Sequence, residues 1–135
     1  MTRELMTSAI REAAEELGYS FHTGTEIQIA GEVTSFPALW MYPLRITAVH
    51  GHRDCRVTYR VRLKFITLGG FVRISNEALW QIIESDALAL YHSLADHSNI
   101  ITVDNFKCTP SATFATKSGD ISADVEFDIE TYYCI

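Results

Sequence analysis

Between residues 56 and 65 the chain alternates without a break. Val57, Tyr59, Val61, Leu63 and Phe65 fall on one parity, and Arg56, Thr58, Arg60, Arg62 and Lys64 on the other. Between residues 121 and 133 the alternation returns with the opposite sign. Ile121, Ala123, Val125, Phe127, Ile129 and Tyr133 share one parity, and Asp124, Glu126, Asp128 and Glu130 share the other. Successive side chains leave a strand on opposite sides, so a period of two predicts two long amphipathic strands. Their apolar faces can share one core, while their outer faces form a basic ladder and an acidic ladder. The pattern predicts an antiparallel sheet with one wetted face. It points to contact along a charged sheet surface rather than to chemistry in a pocket.

A chain of 135 residues fits one domain, residues 1–135, and is long enough for a core without staples. Hydrophobic residues make up 47% and charged residues 21%, ordinary proportions for a globular chain. The formal net charge of −6 works against generic nucleic-acid binding, although one basic strand remains. The apolar runs are only a few residues long, so no membrane-spanning segment is expected. Residues 1–18 carry charges throughout and lack an apolar signal core, so no secretory signal is expected either. Cys55, Cys108 and Cys134 are odd in number and widely spaced, which makes no disulfide framework. Reduced thiols in a cytoplasmically made protein are the favoured reading. Cys55 and Cys134 nevertheless flank the two amphipathic strands, and a pair between them stays open.

Met6, Ala9, Ile10, Ala13 and Leu17 recur at helical spacing, and Gly18 after them suits a left-handed terminator. Residues 26–30 read as a short strand. Residues 36–43 are apolar and aromatic, but a proline near each end predicts an edge strand or an extended connection. Residues 44–49 and 55–68 read as a long hairpin through the turn-rich stretch 50–54. A second helix opens at Ser75 and Asn76, both good caps, and carries Leu79, Ile82, Ile83, Leu90 and Leu94 as one stripe. It is expected to end near residues 96–99. Strands at 100–108 and 112–116, a turn at 117–120 and the acidic strand complete the chain. The order α-β-β-β-α-β-β-β lacks regular βαβ alternation. The predicted class is α+β: an antiparallel sheet with a long hairpin, packed by an N-terminal and a central helix on its apolar face.

Little in this sequence looks catalytic. His50, His52, Asp54 and Cys55 form the best metal candidate, but their spacing matches no strong zinc signature, and a polar hairpin tip is the favoured reading. Cys55 with His50 or His52 is the one local Cys/His combination. No nucleophile elbow occurs, and Gly69-Gly70 lacks the lysine of a phosphate-binding loop. Asp86 lies near the apolar stripe of the second helix. The expectation is a non-enzyme with no cofactor, no metal and no catalytic residue.

The basic ladder has two readings. As a nucleic-acid strip, Arg56, Arg60, Arg62 and Lys64 would track phosphates. Parity, however, places Tyr59 and Phe65 on the buried face, so no stacking platform is interleaved. Pairing with Asp124, Glu126, Asp128 and Glu130, within one subunit or between copies, is preferred. Trp40 and Tyr42, in the aromatic segment 36–42, are the other candidate contact residues, with ordinary core placement slightly preferred.

The layout resembles a known family. A short N-terminal helix comes first. A hairpin with the lead-in Pro37-Ala-Leu-Trp-Met-Tyr-Pro43 follows, then a helix opening Ser75-Asn-Glu-Ala-Leu-Trp80. The finish is the strand Asp124-Val-Glu-Phe-Asp-Ile-Glu-Thr-Tyr-Tyr-Cys134. This order is similar to that of the neck and tail-completion proteins of tailed bacteriophages and prophages, the tail-terminator group in particular. The resemblance implies an α+β subunit of the virion, made in the bacterial cytoplasm. Such subunits assemble into a homo-oligomeric ring, commonly of six, that caps the tail tube and joins it to the head–tail connector. It carries no functional residue across; run length and charge give the further expectation of no membrane partner and no sequence-specific nucleic acid. Two other readings are a small ligand-binding domain or enzyme, with a pocket between helices and sheet using residues 36–42, His50, His52 or Asp86, and a nucleic-acid module using the basic strand.

Overall fold

In the computed structural model, which describes residues 2–51, 53–68, 76–111 and 120–133, the two alternating stretches pair with each other. The elements run α1 (Thr2–Glu16), β1 (Ser20–Thr23), a 3₁₀ turn (Glu26–Gln28), α2 (Ile29–Glu32), β2 (Ala38–Met41) and β3 (Arg45–His50). They continue with β4 (Arg56–Leu68), α3 (Asn76–Ala95), β5 (Ile100–Ser111) and β6 (Asp120–Tyr132). β4 and β6 lie antiparallel along their full 13 residues, from Arg56 opposite Tyr132 to Leu68 opposite Asp120. β5 pairs with the other edge of β6. β2 and β3 share the other edge of β4, β2 against Leu63–Ile66 and β3 against Arg56–Arg60. The strand order is β1-β2-β4-β6-β5, with β3 beside β4.

The odd-numbered residues of β4 and β6 form the core face. Leu63, Phe65, Val125, Phe127 and Ile129 are buried there under Met6 and Ile10 of α1 and Ile83, Ala87, Leu90 and Leu94 of α3. Tyr91 and Phe106 close on Phe127, with ring centroids 5.4 and 6.5 Å away. Each fully buried large apolar side chain contributes about 1.5–3 kcal/mol relative to exposure. α1 ends as its sequence predicts. Gly18 has φ +86°, the Gly18 N–H donates to the Glu15 carbonyl, and the Tyr19 N–H donates to the Ala14 carbonyl. That pair of bonds caps the last carbonyls of the helix.

The α+β class and the central hairpin stand as the sequence predicts, and several local readings are corrected. Residues 26–30 form no strand. Thr25 and Gln28 sit at capping-box spacing, and the Thr25 N–H donates to Gln28 Oε1 at 3.0 Å, which starts a helical turn instead. β1 carried no alternation long enough to read, and it pairs parallel to β2, so the sheet is mixed. β2 is an interior strand rather than an edge. Pro37 and Pro43 flank it without removing a ladder N–H, and all four of its residues are buried. Ile82 is off the helical stripe and 53% exposed. α3 ends at Ala95, and β5 runs on through Pro110 to Ser111 on an edge where proline is tolerated. The readings for His52, Gly69-Gly70, Ser75, residues 112–119 and Cys134 lie outside the described residues. Cys55 is disulfide-bonded rather than a reduced thiol, while Cys108 is free.

The second sheet face is only partly wetted. At one end Ala38, Trp40, Tyr42 and Ile66 are buried with Ile29 and Val33 of the α2 segment. Phe127→Ala removes the ring at the centre of the aromatic cluster. It is expected to cost about 3–5 kcal/mol, read from urea unfolding midpoints. A loss below about 1 kcal/mol would show that the cluster is not the centre of the core.

Candidate functional site

Even-numbered residues of β4 and β6 emerge on the face away from α1 and α3. The 13-residue register puts unlike charges at the same rungs. Arg60 lies opposite Asp128, Arg62 opposite Glu126 and Lys64 opposite Asp124. Three of the four cations meet carboxylates closely. Arg60 Nε donates to Asp128 Oδ1 at 3.1 Å and lies 3.5 Å from Glu126. Lys64 Nζ is 3.1 Å from Asp124, and Arg56 Nη1 is 3.2 Å from Glu130. The ladders therefore pair within one chain. Lys64 is only 5% exposed, an unusual place for an ammonium group without a partner.

Arg62 turns the other way. Its guanidinium lies 4.8 Å from the centre of the Tyr42 ring, a cation–π distance. Burial, together with the charges of Glu26 and Asp124, pushes the Tyr42 hydroxyl up to about 12, against the opposing influence of Arg62. Trp40 is fully buried, and its indole N–H donates to the Gly24 carbonyl at 3.0 Å. Trp40 and Tyr42 are thus buried within the subunit, the placement slightly preferred from the sequence.

Asp128 is the best-connected carboxylate. Besides Arg60 it accepts a hydrogen bond at 2.8 Å from Asn105 Nδ2. Asn105 has φ +60° and lies in a β-bulge, where the register of β5 slips between Asp104 and Lys107. The bulge sends Phe106 into the aromatic cluster and brings Lys107 onto the charged face opposite Glu126. Burial pushes the Asp128 carboxyl up, but the hydrogen bonds from Asn105 and Arg60 and the charges of Arg60 and Lys107 outweigh it. The carboxyl titrates below the usual range. Asn105 and Lys107 were not singled out in the sequence. The adjacent Asp104-Asn105, two residues that tolerate left-handed backbone inside a strand, was the available signal.

The remaining sequence candidates do not converge. Among the described residues no three His, Cys, Asp or Glu side chains are grouped to hold a metal ion. His50 Nε2 lies 3.7 Å from Glu130, beside the ladder. The disulfide at Cys55 removes the thiolate that a Cys/His pair would use. Asp86 accepts a 2.6 Å hydrogen bond from the Tyr19 hydroxyl, tying α3 to the start of β1. Burial first, and the Asp86 bond second, push that hydroxyl far above its ordinary value. Depressions of about 180 Å³ beside Tyr42 and Arg62 and about 150 Å³ beside Asp104 and Asp128 mark the charged face. Both are smaller than the roughly 300 Å³ at which small-molecule pockets begin.

No family model matches the chain, and no curated protein matches it. Among solved structures, a chain described as the virion of a native gene transfer agent particle has the same fold. The TM-score is 0.56 at 10% identity, and the match covers 94% of this chain and 94% of that chain. Among the described residues no helix is long and apolar enough to cross a membrane.

A double-mutant cycle on Arg60 and Asp128 is expected to give a small favourable coupling that shrinks as salt is added. Because the folded pKa of Asp128 is depressed, its contribution is complete above the unfolded carboxyl value of about 3.9. It is lost as pH falls through the lower folded value. Asp128→Asn should therefore lower stability near neutrality and flatten the acid limb, measured as urea midpoints from about pH 7 to about pH 2. An acid limb as steep as that of the wild type would exclude this linkage.

Proposed function

We propose that this chain is a structural subunit of a tailed-phage or prophage-like virion, of the tail-terminator or tail-completion kind. It acts without catalysis or cofactor. The observation that carries the reading is the fold shared, over 94% of both chains, with a chain of a gene transfer agent virion. The ladder geometry supports it. Cations that a nucleic-acid strip would need free are already within 3.2 Å of carboxylates in Arg56, Arg60 and Lys64. Phosphate would have to displace those partners, so the basic strand stabilises the subunit and its register rather than binding a polyanion.

In this reading the subunit closes a homo-oligomeric ring, six copies being the expected number from the family resemblance. The ring sits at the head–tail neck between the tail tube and the connector. A ring is built from head-to-tail contacts, in which one surface meets a different surface of the next copy. The sheet supplies unlike edges for this, because β5 is long and proline-bearing while β3 is short and largely exposed.

Light scattering across protein concentrations, with electron microscopy of the particles, is expected to show a discrete ring, either alone or on purified tail tubes. A protein that stays monomeric at every concentration and binds no tail component would overturn the assignment.

A further inference from the structure

β3 carries an unusual feature for an edge strand. Strict alternation would place Ile46 and Val49 on opposite faces. The register slips between Ile46 and Ala48, so Ile46 lies opposite Tyr59 and Val49 opposite Val57, both on the helix side of the sheet. The bulge therefore collects two apolar side chains on one face, and they remain 54% and 60% exposed. Bulges re-aim side chains and are kept as features rather than defects. The far edge of β3 has no strand partner among the described residues. Of the cations in residues 45–56, Arg56 is held by Glu130 and Asp54, and Arg45 lies opposite Arg60 on the other face, which leaves the exposed Arg53 beside the apolar pair.

A second segment has the complementary character. Ile27, in the 3₁₀ turn, is 93% exposed, and it belongs to neither core cluster. Residues 24–35 around it carry Glu26 and Glu32 and no cation. Both carboxylates are on exposed residues. An isoleucine projecting almost wholly into water, beside two carboxylates, is not packed on its own subunit's β3.

We infer that Ile27 of one copy docks on the Ile46–Val49 edge of β3 in a second copy, with Glu26 and Glu32 facing Arg53. This rests on the ring-forming reading and names its contact. The occupant is a second copy because the chain itself carries both halves, apolar against apolar and acidic against basic, on different surfaces. Such unlike halves give a head-to-tail contact, the kind that closes rings. Opposite charges at the rim select the partner and orient it.

The test uses the full chain. Ile27→Cys and Val49→Cys variants, mixed and treated with a short bis-maleimide, are expected to give a cross-linked dimer. Neither variant alone, nor the wild type with its native cysteines, should give that product. Ile27→Asp should weaken association about tenfold or more while leaving the thermal midpoint of the subunit unchanged, because an exposed side chain contributes little to the fold. Arg53→Glu should weaken association as well, and Glu26→Arg in the same chain should restore it. Rings that form normally with Ile27→Asp, and mixtures that give no specific cross-link, would overturn this contact and leave the ring itself standing. A wild-type protein that never associates, with itself or on tail tubes, would remove the ring reading and this contact together.

Discussion

The antiparallel pairing of β4 with β6 is the constraint on which the rest of the molecule depends. Its full-length register gives each strand one apolar face, and those faces together make the floor under α1 and α3. The same register puts Arg60 opposite Asp128 and Lys64 opposite Asp124. A slip of one residue would turn Phe65 and Phe127 toward water and bury the guanidinium groups, so apolar burial and charge pairing enforce the same alignment. The charges act less through the strength of each pair than through the alternatives they exclude. β5, β2 and β3 then take the two edges that this central pair leaves open.

Among the described residues three register shifts interrupt the sheet, one in β3 and two in β5, and two of them decide which residues share a face at the core and at the exposed edge. In β5 the slip at Asn105 and Phe106 sends an aromatic ring inward and a lysine outward. In β3 the slip at Thr47 sets Ile46 and Val49 side by side. The first serves the core and the charged face at once. The second has no such internal use, since both side chains stay more than half exposed. Those two side chains on an exposed edge are the observation from which the contact between copies is inferred.

The outer face is largely self-paired. Its carboxylates and cations are largely committed to one another, and its depressions are small. Asp128 holds Arg60 and Asn105 together, and the donors on it are what keep its carboxyl below the usual range. The buried Lys64 is paired separately, with Asp124 at 3.1 Å.

The period of two over residues 56–65 and 121–133, the helical repeat of Met6 to Ala13 and the Gly18 terminator were legible in the sequence because each is a local pattern. The Thr25–Gln28 capping box was equally local, but the short alternation Ile27-Gln28-Ile29 masked it. Whether the two ladders met within a subunit or between subunits was not legible, since either arrangement satisfies the same alternation. Nor was the placement of β2, where the flanking prolines suggested an edge and tertiary pairing on both sides made an interior strand. The sequence by itself determined which side chains could share a face of the long strands, because parity follows from the backbone alone. Only the tertiary structure decided which strands became neighbours, where parity broke at the bulges, and hence which apolar residues reached the surface. Those outcomes depend on contacts between residues far apart in the chain.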